Sequence, residues 1–425
     1  MADDPENRWL RFGLATNPYF VEPLGATDDG PRPISLFRGR KQPTKDLLDT
    51  VSSEQNGLII VEAPAGVGKS TFVNHAKFKA RKHFFAPANE VGVQSGSNAH
   101  SLLLQVLDAL VRHASDIAPQ TNWQKDLPTI HKARQLVMAL QSNGWDFNLG
   151  LTGPTGVGGN VGAGKSSTIA PPLLGPVLSP RFLDDLVREL LVLKEPPSDG
   201  VILHINNLDV LMRESVEETA KLFSDLREHF QVVNTHWIFL GPPGLQAEAI
   251  APNRRVLPFV KATIELAQLP VEDVQSLLEA RYSHYKIRGD WVRPSKPDLV
   301  ATLYHRFGGD LRGTLDALGK AHRAYRPVDV APMDEAYAIE FLGTFYRRYL
   351  EKNLRPKSYE ILEYLVKKAR DEFTQDDAEP VEEYQGNRST RFSELEAVDA
   401  VRFTGNEGRR KVYAFGGAAR LAFDR

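Results

Sequence analysis

Short, continuous apolar runs alternate with helical periods through the first two thirds of the chain. The runs begin at Leu58, Val201, His236 and Ala262. Runs without polar alternation are typical of strands covered on both faces, as in a parallel sheet between two layers of helices. Helical periodicity lies between them, over residues 71–81, 99–112, 132–141, 181–193 and 214–230. The pattern predicts an α/β protein with a three-layer αβα core over residues 51–268.

The periodicity changes on both sides of this core. Residues 1–50 are rich in proline, glycine and aromatic residues, which indicates an extended arm packed on its neighbour. Residues 269–348 repeat only at helical spacing and predict a small helical domain. Over residues 349–425, a helix at 358–373 and a short helix near 393–397 precede two strand-like runs, AVRFT and KVYAF, joined by the turn-forming GNEGRR. Helices followed by a hairpin predict a C-terminal winged-helix domain.

The amino-acid composition says more about which chemistry is possible than about the fold. The 425 residues include 52 Lys and Arg against 54 Asp and Glu, so any anionic partner is expected to meet a local patch rather than a basic coat. The absence of cysteine excludes disulfides, thiolate nucleophiles and thiolate zinc sites. The amino terminus lacks a signal-peptide pattern, and no apolar run reaches membrane-spanning length. These features predict a cytoplasmic protein with no membrane partner.

The glycine, lysine and serine pattern of a phosphate-binding loop occurs twice. The first copy, APAGVGKST, begins at Ala63, follows the run at Leu58 and precedes a helical period. In such a turn, backbone N–H groups and the positive end of the following helix face the same anion. The predicted nucleotide-binding residues are Ala65, Gly66, Val67, Gly68, Lys69, Ser70 and Thr71. Lys69 is expected to reach the terminal phosphates, and the Ser70 hydroxyl to ligate Mg²⁺.

The second copy, residues 159–166, matches the written pattern better but lies in a poorer context. Pro171 and Pro172 block the helix that must begin directly after the lysine. We therefore interpret residues 146–170 as a glycine-rich β-hairpin inserted in the core, without a second nucleotide site. In the first copy, Ala63 replaces the first glycine of the motif, which is harmless if its backbone angle is unstrained.

Several further segments resemble the AAA+ ATPases, and within them the clade of replication initiators and origin-recognition subunits. They are FRGR ending at Arg40, VILHINNLD ending at Asp209, the stretch from Ile264 to Arg281, and GGDLR ending at Arg312. The resemblance implies ATP and Mg²⁺ as ligands, self-association through AAA+ interfaces, and Arg40 in the entry segment over the adenine. It also implies that Arg312, from a helical lid at 269–348, reaches the γ-phosphate as the second sensor. A surface arginine paired with Asp310 or Asp316 is the alternative for Arg312.

The acidic second motif departs from the family pattern, in which a strand ends in Asp-Glu. Here Asn206 and Asn207 stand at those positions. The amide of Asn206 can still accept a hydrogen bond from a magnesium-bound water, but Asn207 cannot act as a base. Asp209 either supplies the missing charge or caps the helix that follows. Nucleotide binding is compatible with this sequence, whereas fast hydrolysis is not expected.

Two other family features are altered or ambiguous. The first-sensor strand, residues 235–240, is followed by Gly241-Pro-Pro-Gly rather than by a polar side chain. Arg254 and Arg255 are the candidates for an arginine that acts in trans on a neighbour's γ-phosphate. The alternative is that both are exposed loop arginines. Together these features favour a slow, nucleotide-gated switch over a processive motor.

The C-terminal domain offers a local basic cluster. A winged helix attached to an initiator-like core predicts binding to double-stranded DNA, with Arg402, Arg409, Arg410 and Lys411 as phosphate contacts. The same domain contains Asp376, Asp377, Glu379, Glu382 and Glu383, and winged helices also dock proteins. The alternative is therefore a signalling or defence switch whose winged helix binds an effector protein. A third hypothesis is a degenerate subunit that binds ATP only to hold its fold.

Overall fold

The structure is a computed structural model that describes residues 7–118, 123–142, 178–327, 329–368, 370–381, 385–407 and 410–424. The predicted hairpin insertion at 146–170, the second loop copy and Arg409 lie outside these ranges. The chain divides into two compact units. One is Pro23–Ala267, and the other combines Met1–Glu22 with Gln268–Arg425. The segment predicted as one arm over residues 1–50 is thus shared between the units.

The unit Pro23–Ala267 is built on a parallel sheet, as the sequence predicts. Its strands are β1 (Gly57–Glu62), β2 (Phe84–Phe85), β3 (Val91–Gly92), β4 (Gly200–Asn206), β5 (Thr235–Gly241) and β6 (Val260–Glu265). The strand order is β2-β4-β5-β1-β6, with β3 also paired to β4, and every pair is parallel. All residues of β1, β4 and β5 are buried, which explains why their sequences are apolar without alternation.

Helices cover both faces of this sheet. They are α1 (Lys41–Ser53), α2 (Lys69–Ala80), α3 (Ala99–Ile117), α4 (Trp123–Asp126), α5 (Pro128–Ser142), α6 (Pro180–Leu191), α7 (Leu208–Glu214) and α8 (Val216–Asp225). Alternate residues of β1 enter opposite cores: Leu58 joins a cluster with α3, α5 and α6, whereas Ile59 joins one with α1 and α2. This alternation gives the predicted three layers.

The helix predicted over residues 214–230 is shorter in the structure: α8 begins at Val216 and ends at Asp225. Ser215 has extended backbone angles between α7 and α8, and its hydroxyl accepts a hydrogen bond from the Glu218 amide at 3.1 Å. An N-cap serine satisfies an amide that the helix itself leaves unpaired. Apolar residues such as Phe230 continue past Asp225, so the pattern alone predicted a longer helix.

The other unit is helical and then mixed. Its elements are α9 (Val271–Tyr285), α10 (Pro297–Arg306), α11 (Leu311–Ala324), α12 (Glu335–Asn353), α13 (Pro356–Lys367), β7 (Glu372–Thr374), α14 (Gln385–Ala397), β8 (Val401–Glu407), β9 (Arg410–Phe415) and α15 (Gly417–Ala422). The three strands form an antiparallel sheet in the order β7-β9-β8, consistent with a winged helix. The helix predicted over 358–373 ends earlier, at Lys367, and its last residues enter β7. None of the described helices is both long and apolar enough to cross a membrane.

Residues of the amino-terminal segment pack within this second unit. The guanidinium of the buried Arg281 donates hydrogen bonds to the carbonyls of Pro18 at 3.0 Å and Phe20 at 2.9 Å. The Tyr19 hydroxyl lies 2.7 Å from both the Tyr282 hydroxyl and the Ser295 hydroxyl. These buried contacts attach the start of the chain to α9.

Candidate nucleotide site

The phosphate loop lies between buried β1 and helix α2, in the context that the sequence predicts. Gly66 and Gly68 have φ values of 82° and 92°, in the left-handed region that favours glycine. Val67 is buried and anchors the loop, while Pro64 and Ala65 are exposed at its crest. Within the described chain no side chain caps α2, so the amides of its first turn remain available to an anion.

Lys69 folds back over this loop. Its Nζ donates hydrogen bonds to the carbonyls of Ala63 at 2.7 Å and Pro64 at 3.3 Å, and lies 3.5 Å from Oδ2 of Asp209. Asp209 lies in the first turn of α7, and the N-cap of that helix is Asn207. Asp209 is therefore not the N-cap of this helix, and its predicted role of supplying the missing charge stays a prediction.

Asn206 connects the second motif to the loop serine. Its Nδ2 donates hydrogen bonds to Oγ of Ser70 and to Oε1 of Glu90, both at 2.9 Å, and its Oδ1 accepts from the Asn207 amide at 2.8 Å. The sequence prediction assigned the amide oxygen to a magnesium-bound water. In the structure the amide nitrogen faces the serine hydroxyl and the amide oxygen accepts from the Asn207 amide, so the predicted role of Asn206 toward Mg²⁺ stays a prediction.

Two acidic residues near the site were not predicted. Glu90 contacts Asn206 because β3 and β4 are neighbours, a relation between positions far apart in sequence. Glu62, the last residue of β1, is buried and accepts hydrogen bonds from the amides of Gly244 at 3.1 Å and Gln246 at 2.5 Å. Glu62 thus orders the segment after β5, where the family presents its first sensor. No local sequence signal indicates either role.

Arg40 and Thr71 support the loop instead of facing its open crest. Arg40 donates from Nη2 to the carbonyl of Val67 at 2.8 Å and from Nη1 to the carbonyl of Ala267 at 2.9 Å. The Thr71 hydroxyl accepts from the Leu24 amide at 3.2 Å. Arg40 was predicted to lie over the adenine. In the structure its guanidinium instead donates to a backbone carbonyl of the loop.

A buried lysine holds the segment that precedes Glu90. Nζ of Lys77 donates to the carbonyls of Pro87 at 2.6 Å and Ala88 at 3.1 Å. Burial lowers the pKa of Lys77 from 10.5 to about 7, partly opposed by Glu90. The folded protein therefore releases this proton at a lower pH than the unfolded chain does.

This difference predicts a pH dependence of stability. Because the unfolded state binds more protons above pH 7, Lys77 should make the free energy of unfolding increase between about pH 7 and 9. The Lys77→Met variant should lack this contribution. Urea unfolding of wild type and variant across that range measures the two slopes, and equal slopes would contradict the shifted pKa.

Arg254 and Arg255 lie in the turns that follow β5. Both side chains are exposed, and the amide of Arg255 donates to Oδ1 of Asn253 at 3.2 Å. This placement is compatible with the predicted role in trans and with ordinary loop arginines. The role in trans stays a prediction.

In the second unit, the carboxylates considered as partners of Arg312 have other contacts. Asp310 accepts from the Gly313 amide at 2.9 Å and from Nη2 of Arg402 at 2.7 Å, while Asp316 pairs with Lys320. The Arg312 side chain is exposed at the start of α11. Although no ion pair of Arg312 is formed among the described residues, its positive charge acts on Asp310, so both the surface alternative and the sensor role stay predictions.

Arg402 differs from its predicted role as a DNA contact. Its Nε lies 2.6 Å from Oδ1 of Asp399, and its Nη1 donates to the carbonyl of Phe307 at 2.8 Å. With Asp310 as a third partner, this half-buried guanidinium joins strand β8 to the start of α11. The exposed Arg410 and Lys411 keep the predicted placement, although Arg410 also lies 3.4 Å from Asp376.

The donor set suits a magnesium ion that arrives with phosphate. Among the described residues, no group of three or more His, Cys, Asp or Glu side chains is placed to hold a metal ion. Mg²⁺ in nucleotide sites typically takes one or two protein oxygens and completes its shell with phosphate and water. Ser70 provides a hydroxyl at this position, so the residues fit Mg²⁺ bound together with a nucleotide.

Comparisons with known proteins found similar solved structures at low sequence identity. No protein-family model and no curated protein matches the chain. Solved structures similar to it include the Aeropyrum pernix ORC1 protein in complex with DNA, at 14% identity over 91% of both chains with a TM-score of 0.42. The Aeropyrum pernix ORC2 protein is similar at 12% identity over 96% of both chains, with a TM-score of 0.47.

Drosophila ORC bound to DNA is similar at 12% identity, over 100% of this chain and 94% of that one, with a TM-score of 0.40. Likeness at these TM-scores is too low to argue from, so the assignment depends on the chain's own geometry. That geometry is the strand order β2-β4-β5-β1-β6, the phosphate loop between β1 and α2, and the helices that follow the sheet. The fold is a three-layer αβα fold with a phosphate loop after its first strand.

Proposed function

We propose that this protein binds ATP with Mg²⁺ and acts as a nucleotide-gated switch that binds duplex DNA and hydrolyses ATP slowly. The observation that carries the proposal is the loop itself: an uncapped helix start, two left-handed glycines and Lys69 at 8% exposure beside Asp209. In this proposal the amides of residues 65–71 and Lys69 hold the phosphates. Ser70 contributes a ligand to Mg²⁺, which neutralises phosphate charge when bound.

Slow hydrolysis is supported by the chemistry of the second motif. An amide has no useful proton affinity near neutral pH, so neither Asn206 nor Asn207 activates water. The carboxylate of Asp209 lies 3.5 Å from Nζ of Lys69. In the proposal it pairs with this lysine and does not activate water. The protein would therefore spend much of its time with ATP bound, as a switch requires.

The contact between Asp310 and Arg402 supports coupling between nucleotide and DNA binding. Arg312, the candidate sensor, is two residues from Asp310 on the same helix start, and Asp310 holds Arg402 of β8 at 2.7 Å. If a nucleotide engages Arg312, the position of α11 changes the wing strand through this ion pair. In the proposal, Arg254 or Arg255 contributes in trans when copies of the chain associate.

The wing makes a quantitative prediction about DNA. The double variant Arg410→Ala, Lys411→Ala should bind duplex DNA more weakly than wild type. The slope of log affinity against log salt concentration should also become less negative, by roughly 0.9 for each phosphate contact that is lost. Fluorescence anisotropy at several salt concentrations measures this slope. Lys45→Ala, at an exposed position of α1, is the matched control and should leave the slope unchanged. An unchanged slope in the double variant would show that Arg410 and Lys411 do not contact DNA phosphates.

The experiment that tests the proposal as a whole compares ATP binding with ATP turnover, with and without duplex DNA. The account predicts binding with little turnover and tighter DNA binding when ATP is present. Fast, DNA-stimulated turnover would contradict the proposed slow hydrolysis and assign the catalytic carboxylate to another residue.

One observation favours a second candidate function, in which the winged helix docks an effector protein. Arg402 is used within the chain, and Arg410 is paired with Asp376, so the basic surface of the wing is smaller than the sequence suggests. In that case DNA affinity would be weak at all salt concentrations, and the wing variants would impair association with the effector instead.

A further inference from the structure

We propose that Glu90 supplies the carboxylate of the Mg²⁺ and nucleotide site, in place of the acidic residue that the second motif lacks. This inference rests on the proposed nucleotide binding and assigns a residue to the same site. Nucleotide sites that use Mg²⁺ generally bring one or two carboxylates to the metal. Neither Asn206 nor Asn207 can provide that charge, so a carboxylate must come from elsewhere in the fold.

The broken edge strand places Glu90 at the correct end of the sheet. β2 pairs with the beginning of β4, with Phe84 opposite Gly200, and β3 pairs with its end, with Gly92 opposite Asn206. Residues 86–90 leave the sheet between these two pairings. The chain returns to the sheet directly after Glu90, at the carboxyl end of β4, where ligands of open parallel sheets bind.

A single amide group aligns Glu90 with the loop serine. Nδ2 of Asn206 donates one hydrogen to Oγ of Ser70 and the other to Oε1 of Glu90, each at 2.9 Å. Because Oδ1 of the same side chain accepts from the Asn207 amide at 2.8 Å, the amide orientation is fixed. Asn206 therefore brings a hydroxyl and a carboxylate oxygen, both suitable for Mg²⁺, to the same place.

Among the described residues, no hydrogen bond to the second carboxylate oxygen of Glu90 is formed. His204 is buried, and within the described chain neither of its ring nitrogens has a hydrogen-bond partner. Its Nε2 lies 3.7 Å from Oε2 of Glu90, beyond hydrogen-bonding distance. The ammonium of Lys77 donates to the carbonyls of Pro87 and Ala88 instead.

Exposure of the carboxylate separates this role from a purely structural one. The Glu90 side chain is 35% exposed, whereas the imidazole of His204 beside it is fully covered. A residue that only fixed the edge strand would gain nothing from this opening. A metal ligand needs it, since a hydrated ion and the phosphates must reach the carboxylate.

The proposal predicts effects of opposite sign with and without metal. A carboxylate beside the triphosphate repels it in the absence of a cation and attracts it through a bound cation. Glu90→Gln removes the charge but keeps an oxygen that accepts the hydrogen bond of Asn206. The variant should bind ATP as tightly as wild type, or more tightly, in EDTA, and more weakly in Mg²⁺.

The test is calorimetric titration of the full chain with ATP, in EDTA and in saturating MgCl₂. The factor by which Mg²⁺ increases the affinity should fall by roughly ten- to a hundredfold in Glu90→Gln, as for the loss of one charged contact. Asp209→Asn is the matched control, and because Asp209 contacts Lys69 it should alter affinity similarly in both buffers. Electron paramagnetic resonance with Mn²⁺ and ATP should likewise report a changed metal environment in Glu90→Gln alone.

The outcomes distinguish this inference from the function on which it rests. If wild type binds no ATP in either buffer, the proposed function is wrong. If wild type binds ATP but Glu90→Gln keeps the full effect of Mg²⁺, or loses affinity equally in both buffers, the assignment of Glu90 is overturned. Loss of the Mg²⁺ effect in Asp209→Asn instead would assign the metal to Asp209.

Discussion

Lys69→Ala is expected to lower the affinity for ATP by roughly a hundredfold or more, because it removes a charge-assisted contact between a buried lysine and phosphate. Lys69 is 8% exposed, and its Nζ already occupies the inner side of the loop, 2.7 Å from the carbonyl of Ala63. The same substitution leaves Asp209 without its cation beside the phosphates. Isothermal titration calorimetry measures the loss, and circular dichroism checks that the fold is retained.

The chain provides its own control for this prediction. Lys165 occupies the equivalent position in the second glycine-rich copy, where Pro171 and Pro172 follow. Lys165→Ala should bind ATP as wild type does. If Lys165→Ala loses binding and Lys69→Ala keeps it, the choice between the two copies is wrong.

Arg402→Ala is expected to destabilise the second unit by about 3 kcal/mol, since removing one partner of a largely buried ion pair leaves the other charge uncompensated. Among the described residues, the carboxylate of Asp310 would keep the hydrogen bond from the Gly313 amide. The carbonyl of Phe307 would lose the hydrogen bond from Arg402 and keep the one from the Asp310 amide at 3.2 Å. Arg410→Ala is the matched control, because that arginine pairs at the surface and should change stability by less than about 1 kcal/mol. Urea unfolding measures both differences.

The cost of Arg402→Ala should also depend on pH. Burial raises the pKa of Asp310 above its usual value, and Arg402 opposes that shift. Without Arg402 the carboxyl would hold its proton to a higher pH, and a protonated Asp310 needs no cation. The variant should therefore be closer to wild type in mildly acidic buffer than at neutral pH. If Arg402→Ala lowers the free energy of unfolding equally at both pH values, the loss comes from packing and not from the charge of Asp310.

Much of the core could be predicted from the sequence because the relevant interactions are local or periodic. The continuous apolar runs within β1, β4 and β5 are the direct result of burial on both faces. The phosphate loop was recognisable because its glycines, its lysine and the helix that follows are contiguous. The two proline residues after the second copy were equally local, which allowed a choice between two matching motifs.

The parts that could not be predicted depend on contacts between distant positions. Glu90 reaches Asn206 only through the pairing of β3 with β4, which no pattern around residue 90 indicates. Arg402 was expected in the wing from its neighbours in sequence, yet its partners Phe307 and Asp310 belong to the lid helices. The early ends of α8 at Asp225 and of α13 at Lys367 involve boundaries, where hydrophobic periodicity continues past the last helical hydrogen bond.

The most direct test of the central claim, that the loop around Lys69 holds a triphosphate, is hydrogen exchange of the full chain with and without ATP and MgCl₂. Binding should slow exchange of amides in residues 63–71, at the start of α2, more than anywhere in residues 159–166. No slowing at residues 63–71, or slowing confined to residues 159–166, would contradict the account.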